Sequence, residues 1–368
     1  MAKQKHILIL TETRGGKGHI MPARAIEDAL HHLYPQKHRV SIVNMGDETK
    51  FALEDTLHFL YIYTSKYIPG VLSTYKLSDT AAFMKSINNA FYKLKRKEIL
   101  ELYEKFQPDL VLSNYPVWEY AFYKVLRKHY PGVPFVNLNT DSHYPHYAWL
   151  IADADYNIVS DEDTKNLYVE RGKDPSKIKV LGIPVRHQFA ELGKKIQPSS
   201  QNPQPPYKIL YLPTASDAKT ILKFIEPFAD RKDFQLRVVM GRNKTAADYI
   251  KSKIKAKNIT LIGWTDEIPK ELTDAHLVIS KAGGSTTQES IVMLRPMIIN
   301  KIVPGQELGN VALIKKHRLG KICTKPAELI QACEDILADY PAYQKRLSGL
   351  AKPGSAEAIA KLLDSIEA

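Results

Sequence analysis

The sequence predicts an α/β protein built from two doubly wound domains, and three observations carry that prediction. Short apolar runs of strand length alternate along the chain with longer helical patterns, as in parallel sheets covered by helices. Two of those runs lead directly into glycine turns, at residues 6–19 and 277–290. Between the two series lies residues 196–206, Ile-Gln-Pro-Ser-Ser-Gln-Asn-Pro-Gln-Pro-Pro, the clearest change of composition in the chain. Such a stretch marks a domain boundary. The expected organisation is a domain over 1–190, a linker over 191–206 and a domain over 207–368.

The chain has 368 residues, 44% hydrophobic and 25% charged, enough for two cores of ordinary size. Its two cysteines, Cys323 and Cys333, suit a reducing cytosol rather than a disulfide framework. The opening apolar run is too short for a signal peptide, and no stretch is long enough to span a bilayer. A formal net charge of +12 favours an anionic partner, either an acidic membrane or a phosphorylated substrate. No zinc finger or aromatic RNA-binding motif is present, so no nucleic-acid partner is expected.

Residues 6–10 (His-Ile-Leu-Ile-Leu) form the first predicted strand. They run into Thr-Glu-Thr-Arg-Gly-Gly-Lys-Gly-His19, then a helical pattern from Pro22 to Leu30. This is the opening unit of a doubly wound domain. An imidazole at such a loop titrates near neutral pH, so His19 is a candidate base; the alternative is a histidine that merely starts the helix. Residues 39–45 form a second strand. From 49 to 90 the chain is rich in aromatics, including Phe51, Phe59, Tyr61, Tyr63, Tyr67, Tyr75 and Phe83, and a basic cluster spans 93–97. Rings and cations together suit a membrane interface, and equally a helical subdomain with a solvated charged face.

Further strands are expected at 108–114 and 134–141. The second ends in Thr140 and Asp141, followed by His143, His146 and Trp149. Asp141 therefore sits where open parallel sheets place ligands. Asp153 and Asp155 match a short metal-binding pattern, but they precede a strand at 156–159 and are set aside. Strands follow at 207–212 and 236–243. Arg242 is a candidate phosphate contact, and the turn containing Gly263 and Trp264 follows another strand. A short helix is expected over 266–275, and helices over 326–338, 340–350 and 355–366.

Residues 281–290 read Lys-Ala-Gly-Gly-Ser-Thr-Thr-Gln-Glu-Ser. A strand before them and a helix after them put Gly283, Gly284, Ser285 and Thr286 at a strand-to-helix turn, where free N–H groups form an anion site. Glu289, expected near the first helical turn, is placed to accept ribose hydroxyls. Residues 304–310 (Pro-Gly-Gln-Glu-Leu-Gly-Asn) crowd amides and acids into one loop.

These strings resemble the donor-nucleotide signature of glycosyltransferase family 28, and most closely its diacylglycerol-glycosylating branch. The resemblance implies the GT-B architecture, two Rossmann-like domains facing across a cleft. It also implies an inverting transferase that moves glucose or galactose from a UDP-sugar to a membrane-lipid hydroxyl, most simply diacylglycerol. By the same resemblance Gly263, Trp264, Lys281, Gly283, Gly284, Ser285, Thr286, Glu289, Gln306, Glu307 and Asn310 bind the donor, beside the phosphate candidate Arg242, and the chemistry needs no bound metal or cofactor. Gly16, Gly18, His146 and Trp149 face the acceptor, and His19 or Asp141 is the base. Two departures stand out. Lys17 interrupts the glycine run, and residues 213–217 (Pro-Thr-Ala-Ser-Asp) replace a second glycine-rich loop. The expected partners are the UDP-sugar, the lipid acceptor and an anionic membrane surface, with the protein cytoplasmic and peripherally bound. A polyprenyl-linked or soluble acceptor, sugar epimerisation, or nucleotide-sugar sensing without turnover remain alternatives.

Overall fold

The computed structural model describes residues 4–13, 17–48, 79–214, 216–303 and 307–367. Its contacts divide the chain into two compact units. The first comprises Met1–His187, Pro304–Gly309 and Gly354–Ala368, the second Gln188–Val303 and Asn310–Pro353. Each contains a six-stranded sheet.

In the first unit the strands are β1 (Lys5–Thr11), β2 (His38–Asn44), β3 (Leu110–Ser113), β4 (Phe135–Leu138), β5 (Tyr156–Val159) and β6 (Ile178–Val180). All pair in parallel, in the order β2-β1-β3-β4-β5-β6. The helices are α1 (Lys17–Leu33), α2 (Met45–Glu48), α3 (Ala81–Phe106), α4 (Pro116–His129) and α5 (Glu162–Glu170). Strand alternation sorts the core. Ile7 and Ile9 face Ala23, Ile26 and Leu30 of α1, while Leu8 and Leu10 face Trp118 and Phe122 of α4, as a period of two requires. The first helix begins at Lys17, five residues before the expected Pro22. Pro22 is the sixth residue of that helix, past its first turn, where the ring removes the bond to the Gly18 carbonyl and crowds it.

In the second unit α6 (His187–Gly193) leads to β7 (Tyr207–Leu212), α7 (Ala218–Ile225), β8 (Phe234–Gly241), α8 (Lys244–Lys253), β9 (Ile259–Gly263) and α9 (Ile268–Asp274). Then come β10 (Leu277–Lys281), α10 (Gly284–Val292), β11 (Met297–Lys301), α11 (Glu307–Lys316), β12 (Gly320–Ile322), α12 (Leu329–Ala338) and α13 (Tyr340–Leu350). The sheet order is β12-β11-β10-β7-β8-β9, again parallel. The chain passes between units at His187, ahead of the proline-rich stretch. That stretch lies against α12 and α13: Ser199 N donates to Gln344 Oε1 at 2.6 Å, and Asn202 Nδ2 to Ala338 O at 2.8 Å. Prolines lack N–H groups, so its non-proline residues supply the anchoring donors.

The last helix, α14 (Ser355–Ser365), belongs to the first unit. Its Ile359, Ala360 and Leu363 are fully buried in the cluster that α1 also lines. Lys5 Nζ donates to the Leu363 and Ile366 carbonyls at the C-terminus of α14, where a cation complements the helix dipole. Asp364 completes the clasp, meeting Lys37 at 2.5 Å and His38 Nε2 at 2.8 Å.

In both sheets the strand order reverses beside the first strand of the unit, between β1 and β3 and between β7 and β10. The carboxyl ends at these switch points are where doubly wound sheets hold ligands. Among the described residues no helix is long and apolar enough to cross a membrane.

Candidate active site

In the first unit the carboxyl ends of β1, β3 and β4 gather a compact set of polar groups. His19 lies in the first turn of α1 and is half-buried. The Asn114 side chain, just past β3, donates to its backbone carbonyl at 2.6 Å. Its Nδ1 lies 2.9 Å from the Thr140 hydroxyl. Tyr115 meets the imidazole edge-on, with ring centroids 5.1 Å apart. Burial holds the His19 pKa down to about 4, against the pull of a hydrogen bond to the Asn114 backbone; the ring is neutral at physiological pH.

Asp141, one residue beyond Thr140, behaves in the opposite sense. Burial raises its pKa to about 6, while the bond from Trp149 favours the charge. Trp149 Nε1 donates to Asp141 Oδ2 at 2.7 Å, and the Asp141 N–H donates to Asn139 Oδ1 at 2.7 Å. The Nδ1 partner of His19 is therefore Thr140, and Asp141 bonds Trp149 instead of orienting the imidazole.

Two expected acceptor contacts take other roles. Trp149 is 0% exposed and packs with Leu150, Val159, Tyr168 and Ile178, so it presents no face to an acceptor and serves Asp141. His146 caps the short turn Tyr147–Leu150, its Nδ1 accepting from Ala148 N at 3.2 Å. Gly18 is half-buried in the first turn of α1 with open space around its Cα. Gly16 lies outside the described residues. Asp153 and Asp155 point to structure: Asp155 Oδ2 accepts from Phe135 N at 2.7 Å and pairs with Arg127, and Asp153 lies 3.6 Å from Lys177.

In the second unit the residues expected to bind the donor follow the carboxyl ends of β8, β9 and β10. Gly241 and Gly263 are paired at the ends of β8 and β9. The residues that follow them, Arg242 and Trp264, are exposed, and the guanidinium stacks 5.5 Å from the indole centroid. Such a pair offers a flat cationic platform. After β10, Gly283 caps α10 without a side-chain hydrogen bond. The first i→i−4 bond of α10 comes from Thr287 N to Gly283 O, 2.9 Å. That leaves the Gly284, Ser285 and Thr286 N–H groups at the helix mouth. The Ser285 hydroxyl is shielded from solvent and has no hydrogen-bond partner.

A Cβ on Gly283 would lie 2.8 Å from Lys281 Nζ. The ammonium therefore sits beside the helix N-terminus, and both favour a diphosphate. Because a lysine tip can swing aside, Gly283→Ala should leave the fold unchanged and displace the cation. The expected result is a roughly tenfold higher donor KM with little change in kcat or Tm, read by initial-rate kinetics and thermal unfolding.

Asn310 is buried and donates from Nδ2 to Ala282 O at 2.9 Å, so its amide holds the turn before Gly283. Glu289 is buried in the second turn of α10, not in the first. Glu307 is buried at the start of α11 and groups with the first unit, whereas Asn310 groups with the second. Gln306 lies outside the described residues. The stretch that replaces a second glycine loop caps α7: Asp217 accepts from Thr220 N at 2.9 Å and Thr220 Oγ1 at 2.6 Å. A carboxylate on that helix start opposes an anion there.

Asn114 gains a role that its sequence pattern does not announce, whereas Thr140 carried a signal, a hydroxyl beside an acid at a strand end.

Two Rossmann-like units, with polar residues gathered at the carboxyl ends of both sheets, define a UDP-sugar glycosyltransferase of the GT-B fold. The monogalactosyldiacylglycerol (MGDG) synthase profile matches residues 19–185, and the glycosyltransferase family 28 C-terminal domain matches residues 215–360. The chain belongs to glycosyltransferase family 28. It is 26% identical to a processive diacylglycerol beta-glucosyltransferase of Bacillus licheniformis, over 96% of this chain and 91% of that protein. It is 25% identical to monogalactosyldiacylglycerol synthase 2, chloroplastic, of Arabidopsis thaliana, over 89% of this chain and 72% of that one. The crystal structure of Acinetobacter baumannii MurG aligns over 98% of this chain and 100% of its own, with a TM-score of 0.64 at 16% identity. That last likeness speaks for the fold alone.

Proposed function

We propose that this enzyme transfers glucose or galactose from a UDP-sugar to the free hydroxyl of diacylglycerol, inverting the anomeric centre. The observation that carries the mechanism is the opposite tuning of two neighbouring bases. A general base works best when its pKa approaches the working pH. Asp141, raised to about 6, is closer to that range than His19, lowered to about 4. Asp141 is therefore the base that takes the acceptor proton. The neutral His19, held by Thr140 and Asn114, orients the attacking hydroxyl.

On the donor side, the leaving diphosphate is received by the N–H groups of Gly284, Ser285 and Thr286, with the Ser285 hydroxyl and the Lys281 ammonium. Charge that develops on UDP during departure meets donors already aimed at it. Arg242 and Trp264 provide the platform for the nucleoside end, and Glu289 takes the ribose hydroxyls. No metal enters the mechanism. The decisive assay supplies labelled UDP-glucose and UDP-galactose separately, with diacylglycerol vesicles and without acceptor. One labelled glycolipid is expected; UDP binding with no lipid product would overturn the lipid assignment.

Diacylglycerol must be drawn from a bilayer, and α3 supports a docking role at an anionic membrane surface. Phe83, Ile87 and Leu94 are 46%, 48% and 59% exposed. With exposed Ala90 they recur at four- and three-residue spacing and share one face. Lys93 and Lys97 are exposed beside them, whereas Lys95 of the basic cluster is buried and pairs with Glu98 at 2.9 Å. The aromatic residues 51–75 lie outside the described residues. An apolar stripe flanked by cations fits a peripheral, cytoplasmic-face enzyme. The triple change of Phe83, Ile87 and Leu94 to Ser should weaken co-sedimentation with anionic vesicles about tenfold or more. Turnover of short-chain, soluble diacylglycerol should be retained.

A further inference from the structure

Behind Asp141 lies a buried carboxylic acid that the reaction itself does not use. Glu119 of α4 is 0% exposed. Its Oε1 accepts from Asn137 Nδ2 at 2.8 Å, and the same amide donates to the Trp149 carbonyl at 2.8 Å. Both N–H bonds of the Asn137 amide are thereby committed. Asn137 is itself 0% exposed, in β4, four residues before Asp141. The chain of contacts runs on through one residue: Trp149 is held by its carbonyl from behind, and its indole N–H grips Asp141 Oδ2 in front. Tyr168 adds a long hydroxyl contact to the same carbonyl, 3.5 Å.

The two oxygens left over, Glu119 Oε2 and Asn137 Oδ1, are buried without hydrogen-bond partners. An ionised carboxylate in that setting is costly, because the single amide bond to Oε1 does not repay its lost hydration. Burial indeed pushes the Glu119 pKa well above the carboxylate range, opposed only by Lys173. The Lys173 ammonium is itself tied to Ala152 O at 2.6 Å. The other titratable groups around this pocket are Tyr168, also held well above its ordinary pKa, and Asp141. A neutral Glu119 leaves Asp141 the sole acid of the cluster that ionises in the working range.

We propose that Glu119, acting through Asn137 and Trp149, is a positioning residue for the Asp141 carboxylate. Its acceptor oxygen holds the Asn137 amide in the orientation that fixes the Trp149 turn. That turn sets the indole N–H, and the indole sets the base. The inference deepens the assignment of Asp141 as base and rests on it for its catalytic consequence.

The test compares Glu119→Gln with Glu119→Leu in the full chain. Glutamine keeps a neutral acceptor of the same shape, while leucine keeps the volume and removes the acceptor. Glu119→Gln should keep kcat within about threefold of the parent enzyme, with the acid limb of kcat/KM still near pH 6. Glu119→Leu should lower kcat by about tenfold to a hundredfold at unchanged UDP-sugar KM and move that limb. The indole N–H resonance of Trp149, followed by NMR with 15N-labelled tryptophan and assigned with Trp149→Phe, provides a readout independent of turnover. It should titrate near pH 6 in the parent and Glu119→Gln proteins and shift in Glu119→Leu.

A Glu119→Leu protein with lowered Tm but unchanged kcat, pH limb and indole shift would reduce Glu119 to a packing role and overturn the proposal. Loss of all function in Glu119→Gln as well would equally overturn it, since the neutral isostere should serve. Failure of the base assignment looks different: the indole shift would move as described while Asp141→Asn remained active.

Discussion

Asp141→Asn is expected to abolish most of the activity and to make the protein more stable. Both outcomes follow from one fact, a carboxylate whose pKa rises from 3.8 to about 6 on burial. The folded state binds the proton more tightly than the unfolded chain, so stability falls as pH rises from the unfolded value through the folded one. Above that window the charged group costs about 3 kcal/mol. Asparagine retains an oxygen for the Trp149 N–H and carries no charge. At pH 7.5 the variant should therefore gain up to about 3 kcal/mol, or roughly 5–10 °C in Tm. The gain should shrink as pH falls through 6 and vanish below 4. Loss of the general base should meanwhile lower kcat by about 10³-fold. Calorimetry across pH 4–8 and single-donor kinetics check the pair of effects. An active Asp141→Asn would hand the base role to His19, and an unstabilised one would mean that the carboxylate is well solvated.

The second large effect concerns the C-terminal helix. Truncation after Pro353 removes Ile359, Ala360 and Leu363, each 0% exposed, and uncovers Ile26 and Leu30 of α1. Full burial of an isoleucine or leucine contributes about 1.5–3 kcal/mol. Two such side chains, the clasp at Asp364 and the uncovered face of α1 together approach the 5–15 kcal/mol that holds a domain folded. The truncated protein should lose cooperative unfolding of the first unit while the second keeps its own transition. Native-state hydrogen exchange should show β1, β2 and α1 unprotected and β7–β10 protected. Full protection of β1 in the truncated chain would mean that α14 contributes little. The single change Asp364→Asn, which weakens only the clasp with Lys37 and His38, should cost far less, about 1 kcal/mol.

Much of this architecture is legible in the sequence because the physics is local. The strands at 156–159 and 207–212 end where the apolar runs end, and the closing helices lie where their periodicity places them. The short strands β11 and β12 are harder to read. Gly320–Ile322 is three residues long and only half-buried, so it has neither length nor alternation to reveal it. Proline 22 hides the true start of α1. On the donor side, Gly283–Thr286 lie at a strand-to-helix turn as their order implies, since a turn is made by neighbours. The acceptor side depends on contacts across long separations. Trp149 reads as an acceptor contact until Asn137 and Asp141 are seen to hold it from both ends. The hydroxyl that meets His19 comes from Thr140, 121 positions away. Glu119 sits in the helical run 116–129, where an acid reads as solvated until the fold shows it inside.

The clasp of α14 onto β1 and α1 also dictates an order of events during synthesis. Lys5 and the Leu363 carbonyl, 2.7 Å apart in the finished molecule, are 358 positions apart in the chain. A ribosome adds about 5–20 residues per second, so the N-terminal sheet waits on the order of tens of seconds for the helix that seals it. Through that interval the apolar face of α1 stays open while the second unit has all its residues first. The first unit is thus completed after the second, and a chain stalled before residue 355 would release a finished second unit beside an unsealed first one, ready for chaperones or proteases.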